Sequence, residues 1–144
     1  MKKPLLLSLV LLCLLLCACG GETEDPGYPI DYGSSRLYSR AELDGAIRLI
    51  QREFAHWEGC EMHAIRYGGD GLCNETNLAW LNELAEARGL EPFSACICFF
   101  SDFHSPKEVP VTEAWNPDEE YTDWSWWLGR SADGDWVLVD WGYG

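Results

Sequence analysis

All eight tryptophans and all five phenylalanines of this 144-residue chain lie in the stretch 38–144. Large aromatic side chains dominate core energetics, so a hydrophobic core can form here, and the length suits one domain. Within the stretch the apolar pattern changes period in a definite order. Ser39 and Glu42 form a capping box, with Tyr38 and Leu43 at the two positions of a hydrophobic staple. Leu43, Ile47, Ile50, Phe54 and Trp57 then recur three or four residues apart, one apolar stripe along a helix that Gly59 stops.

Residues 60–67 read as a strand, broken by Gly68-Gly69-Asp70-Gly71. A second helix fits 75–88, with Leu78, Leu81 and Leu84/Ala85 on its buried face and Gly89 at its end. The stretch 93–103 is apolar on both alternations, the pattern of a strand covered on both faces. A polar loop containing Pro106, Pro110 and Pro117 follows. Residues 121–130 and 135–141 flank Ser131-Ala132-Asp133-Gly134, and Asp-Gly between two β-rich runs is a strong hairpin signal. Trp124, Trp126 and Leu128 share a face of the first hairpin strand; Val137, Val139 and Trp141 share one of the second. The order helix, strand, helix, strand, strand, strand predicts an α+β domain. Both helices are expected on one face of a curved, mostly antiparallel four-stranded sheet.

The N-terminal run is of another kind. Lys2 and Lys3 precede an apolar run from Leu5 to Leu16, which closes in Leu16-Cys17-Ala18-Cys19 and Gly20-Gly21. A basic start, a short apolar run and small residues at its end are the layout of a secretory signal. The run is also short for a transmembrane helix, which needs about 20 apolar residues. The closing tetrapeptide resembles the lipobox of bacterial lipoproteins, in which the signal is cut just before a cysteine that receives lipid. That resemblance implies a signal over 1–18, a diacylglyceryl-bearing Cys19, and an address on the extracytoplasmic face of the cell membrane. An uncleaved anchor and an ordinary secretory cut are the alternatives. From Gly20 to about Leu37 the chain is rich in Gly, Pro, Glu, Asp, Ser and Tyr. Residues 19–37 are therefore expected as a flexible acidic tether, holding the domain roughly 20–25 Å from the membrane.

A second resemblance lies in the hairpin. The segment Trp126-Trp127-Leu128-Gly129-Arg130, its Asp133-Gly134-Asp135-Trp136 turn and the strand to Tyr143 resemble the end of nuclear-transport-factor-2-like (SnoaL-like) domains. There a strand ending in a basic residue meets a Gly-x-Trp turn into the last strand. With the long amphipathic helix, the stretch 38–144 is similar to their cone fold, and the chain also resembles small lipoproteins of Gram-positive bacteria. A cystatin-like single helix on a sheet is the structural alternative.

Charge narrows the function classes. The chain carries 24 acidic residues against 10 basic ones, a net charge of −14; cutting at the expected signal would also remove the positive Lys2 and Lys3. So acidic a surface argues against nucleic acid, which is bound by neutralising phosphates. It also argues against direct adhesion to an anionic bilayer; a solvated acidic surface is the simpler reading. Outside the cell, Cys60, Cys73, Cys96 and Cys98 invite disulfides in any of three connectivities. Cys96 and Cys98 share one strand face and are poor partners for each other. A Cys60–Cys73 bridge would close a loop of about 14 residues and stabilise by about 3 kcal/mol in the chain-entropy model. Buried thiols are the competing reading, and the spacings lack the paired ligands of structural zinc.

Among the histidines, His56 falls near the end of the first helix, where the dipole favours an imidazolium. His63 lies in the first strand and Asp102 and His104 end the strand over 93–103; together they form the candidate acid–base set of a cone mouth. Asn116, Asp118 and Glu120 alternate like a calcium loop, but Tyr121 and Trp127 stand where an EF-hand needs Gly and Glu. No nucleophile motif is present and no cofactor or metal is expected. Tyr67, Trp124, Trp126 and Trp127 are the candidate lining of an aromatic ligand site on the sheet. Three function classes follow. The first is a non-catalytic lipoprotein domain binding a small molecule or an envelope protein. The second is a small isomerase- or lyase-like cone enzyme, and the third is an interaction module that forms a homodimer through exposed aromatics.

Overall fold

The capping box at Ser39 starts the first helix where the sequence places it. In the computed structural model, which describes residues 25–143 except 110, 112 and 114, the Glu42 N–H donates to Ser39 Oγ (3.3 Å) and the Ser39 N–H to Glu42 Oε2 (2.8 Å). Helix α1 then runs Arg40–Phe54, burying Leu43, Ala46, Ile47 and Ile50. Trp57 lies just past its end and turns back into the core. Tyr38 does not simply staple the helix: its ring packs edge-on against Trp136 and its hydroxyl donates to the Cys96 carbonyl (2.8 Å). Helix α2, Glu75–Ala87, is capped by the Asn74 carboxamide, which accepts from the Asn77 N–H (2.9 Å). A single 3-10 turn at Asp70–Leu72 precedes it.

Five strands follow the chain across one open sheet: β1 Ile30–Asp31, β2 Glu61–Tyr67, β3 Ala95–His104, β4 Glu120–Arg130 and β5 Trp136–Gly142. Neighbours in sequence are neighbours in space; β1 pairs parallel with β2 and every other pair is antiparallel. The α+β class and the β4–β5 hairpin agree with the sequence pattern, and the Gly134 N–H closes the turn onto the Ser131 carbonyl (3.2 Å). No helix among the described residues is long and apolar enough to cross a membrane. Cys19 and the signal over 1–18 lie outside the described residues.

Two expectations need correction. The sheet has a fifth strand, and it falls within the segment expected to be a loose tether. Ile30 pairs with Ile65, and Tyr28, Ile30 and Tyr32 pack against the main core. Polar contacts fasten the same segment: Tyr32 Oη donates to Asp44 Oδ1 (2.7 Å) and Ser35 Oγ to Asp70 Oδ1 (2.6 Å). Three apolar residues at period two thus outweigh the Gly and Pro around them.

The second correction concerns the helices, which cover opposite faces of the sheet. On β3, Ile97, Phe99 and Phe103 join the core beneath α1, while Cys96 joins a smaller cluster with Leu81 and Ala85 of α2. On β4, Trp126 and Leu128 go to the α1 side and Trp127 to the α2 side. A strand apolar on both alternations needs cover on both faces, and each helix supplies one. Asn82 docks α2 by exchanging hydrogen bonds with the Phe93 backbone (2.7 and 3.0 Å). Gly129 permits the close approach there: a Cβ on it would stand 2.4 Å from the Phe93 ring.

Candidate functional site

The aromatic face expected to bind a ligand is the floor of the main core. Tyr67, Trp124 and Trp126 are all buried. Trp57 stacks on Trp126 (5.0 Å between centroids, 24° between planes) and also meets Trp115 at 4.7 Å. Phe103 lies parallel to Tyr121 at 5.0 Å. The Trp126 Nε1–H donates to Ser101 Oγ (2.8 Å), so even its polar atom is satisfied internally. Trp127 points to the other face and packs edge-on against Trp80 (5.5 Å). These four residues therefore do not line one pocket. α1 and Trp57 occupy the space a ligand would need. The most exposed of the described indoles is Trp141, at 39%; the nearby chain end carries Tyr143 at 60%.

The acid–base candidates do come near one another, but each is committed elsewhere. His63 Nδ1 and His104 Nδ1 contact the two oxygens of Glu120 (2.8 and 3.1 Å), and His104 Nε2 meets Asp118 (3.2 Å). The imidazoles lie nearly parallel, 6.3 Å apart. Asp118 and then Glu120 raise the His104 pKa above its ordinary value, which favours the imidazolium over the neutral ring that a general base needs. Asp102 faces Arg66 instead, accepting from Nη1 and Nη2 (2.6 and 3.2 Å) and from the Asp123 N–H (3.0 Å). Burial alone would raise its carboxyl pKa; the guanidinium and the amide outweigh it and hold the group below the ordinary carboxylate range. Asp123 adopts a left-handed φ of 56° to make that contact. The acidic loop is likewise occupied, with Asn116 Nδ2 donating to Glu119 (2.8 Å) and Asp118 and Glu120 held by the histidines.

Cys60, Cys73, Cys96 and Cys98 are free thiols. Burial pushes Cys60 and Cys96 up to about 11 and Cys98 up to about 12, and raises Cys73 as well. Such thiols stay protonated at neutral pH and are poor nucleophiles and metal ligands. Tyr67 Oη sits between Asp70 Oδ1 (2.8 Å) and Cys73 Sγ (3.3 Å), and burial drives its pKa well above the ordinary tyrosine value. Among the described residues no group of three or more His, Cys, Asp or Glu side chains is arranged to hold a metal ion.

Open space lies instead along the flanks of α1. One cleft of about 620 Å³ runs between α1 and the start of β5, bordered by Gly45, Arg48, Leu49, Arg52, Asp135 and Trp136. A second, of about 640 Å³, lies between α1 and residues 25–32, where Arg40 sits 3.1 Å above the Tyr32 ring. Arg48 borders both. The sequence reading passed over these residues because Arg48 and Arg52 fall on the polar side of the helical stripe, which reads as solvated. The overlooked signal is Gly45, a glycine in the middle of an otherwise strong helix. Comparisons with protein-family models, with curated proteins and with solved structures returned no match.

Proposed function

We propose that the chain is a lipid-anchored extracytoplasmic lipoprotein, held at the cell membrane through Cys19, whose α+β domain acts by binding rather than by catalysis. The observation that carries the anchor is Leu16-Cys17-Ala18-Cys19 at the end of a short apolar run behind Lys2 and Lys3. The nuclear-transport-factor-2-like reading finds support in α1 lying across the aromatic face that the hairpin completes. The placement of α2 on the opposite face departs from a simple cone.

Several features support binding. The acid–base candidates are tied into ion pairs, the thiols are protonated, and the two clefts flank α1 away from both sets. The partner is a small molecule or an envelope protein; nucleic acid is disfavoured by the net charge of −14. A homodimer would use the apolar edge at Val137, Trp141 and Tyr143. Metabolic labelling with a fatty-acid analogue tests the anchor. Wild type should incorporate label and Cys19→Ala should not; equal labelling of the two overturns the assignment.

A further inference from the structure

The cleft between α1 and β5 concentrates features that packing does not require. In a chain of net charge −14, two guanidinium groups one helical turn apart, Arg48 and Arg52, border it against a single carboxylate, Asp135. Arg40, Arg66, Arg88 and Arg130 are each paired with a carboxylate, whereas neither Arg48 nor Arg52 enters an ion pair among the described residues.

Trp136 supplies the apolar wall. It is only 8% exposed, and its Nε1–H, like those of Trp115 and Trp124, is buried without an acceptor among the described residues. Its ring atom Cδ1 lies 3.8 Å from where a Cβ on Gly45 would stand, so one edge of the indole borders the notch this glycine leaves. The notch is not forced by packing. A Cβ at Gly45 would make only ordinary contacts, at 3.8 Å from Arg48 Nη2 and from Trp136 Cδ1. A mid-helix glycine is less favourable than alanine by roughly 1 kcal/mol. Stability would favour alanine; open space favours glycine.

We propose that this cleft binds a small organic monoanion, a carboxylate carried on an apolar body. Its oxygens accept hydrogen bonds from the Arg48 and Arg52 forks, which match carboxylate geometry. The apolar body lies against Leu49 and the indole of Trp136, inside the Gly45 notch. Two guanidinium charges opposed by Asp135 leave one net positive charge, which selects a monoanion. This rests on the binding role proposed above and is independent of the anchor.

The test uses the full-length chain reconstituted in phosphatidylcholine vesicles and titrated calorimetrically with octanoate, with protein-free vesicles as reference. Saturable binding at a single site is expected. It should weaken at least ten-fold (about 1.4 kcal/mol) in the Arg48→Gln/Arg52→Gln double variant. Gly45→Leu, which fills the notch and keeps both arginines, should weaken it equally and serves if the double variant does not fold. Octylamine, with the opposite charge, and inorganic phosphate, with no apolar body, should bind at least ten-fold more weakly than octanoate. Absence of saturable octanoate binding, equal binding by folded variants, or octylamine binding as tightly would each overturn the proposal. The two readings fail separately: loss of the cleft leaves the Cys19 labelling unchanged, and loss of that labelling leaves octanoate binding unchanged.

Discussion

The two faces of the sheet are built on different terms. Beneath α1 lie Trp57, Trp124, Trp126, Phe99, Phe103 and Tyr121, a continuous aromatic core in which Trp126 and Phe99 are fully buried. The other face is divided. α2 covers one end over Cys96, Val139 and Phe93, while the other end carries Arg66 paired with Asp102, and His63 and His104 paired with Glu120. Burial of large aromatic area stabilises strongly and without regard to direction. Half-exposed ion pairs contribute little and depend on geometry and pH. The α1 face should therefore hold the fold, and the exposed end of the second face should be tolerant of change.

The sharpest break in this contrast is Trp126→Ala. Removing a fully buried indole stacked on Trp57 should cost about 3–5 kcal/mol in urea unfolding. Trp127→Ala, next along the strand but half-buried on the other face, should cost less than half as much. A comparable loss at both positions would mean that the faces share the stability evenly. Ser101→Ala probes the same core at one atom. It leaves the Trp126 N–H without its acceptor and should cost about 1–3 kcal/mol by the same measurement. Arg66→Ala on the outer face removes two ion pairs, yet their solvent contact limits the loss to about 1 kcal/mol or less, and that loss should shrink in high salt.

The smallest expected effect is the pH dependence of His104. Its pKa is raised in the folded protein by Asp118 and Glu120. Protonation is thus favoured by folding, and the stabilisation is complete below the ordinary histidine value. It is lost as pH rises through the folded pKa. Thermal unfolding measured across that range should show wild type losing stability relative to His104→Asn; parallel curves would remove the ion-pair account.

Local chemistry explains which parts of this fold could be read from sequence. The Ser39 capping box, the α1 stripe and the Asp133-Gly134 turn each involve residues within a few positions of one another, and all appear as the pattern implies. β1 was hidden because Tyr28, Ile30 and Tyr32 give only three alternating residues among Gly and Pro, and their partner Ile65 is far along the chain. The apolar pattern of β3 already required cover on both faces, while element order alone gave no reason to divide the helices. His63 and His104 were legible as a pair, but not their shared partner. Bulges at Met62/Ala64 and Ser101/Phe103 shift the registers that bring Glu120 between them. The α1–β5 cleft joins Arg48 to Trp136 across most of the domain, and nothing local in sequence links them.

Fastening residues 28–35 to the sheet and to Asp70 also sets a reach. With Cys19 lipidated, as proposed, only nine residues of chain lead from it to Tyr28, where the fastened segment begins. At most about 3.5 Å per residue, they extend no more than about 30 Å. That is comparable to the width of a domain of this size, whose radius of gyration is about 13 Å. So short a leash would limit how freely the anchored domain turns over. Were Cys19 lipidated, the edge bearing β1 and the cleft beside Tyr28 and Tyr32 would stay nearest the lipid.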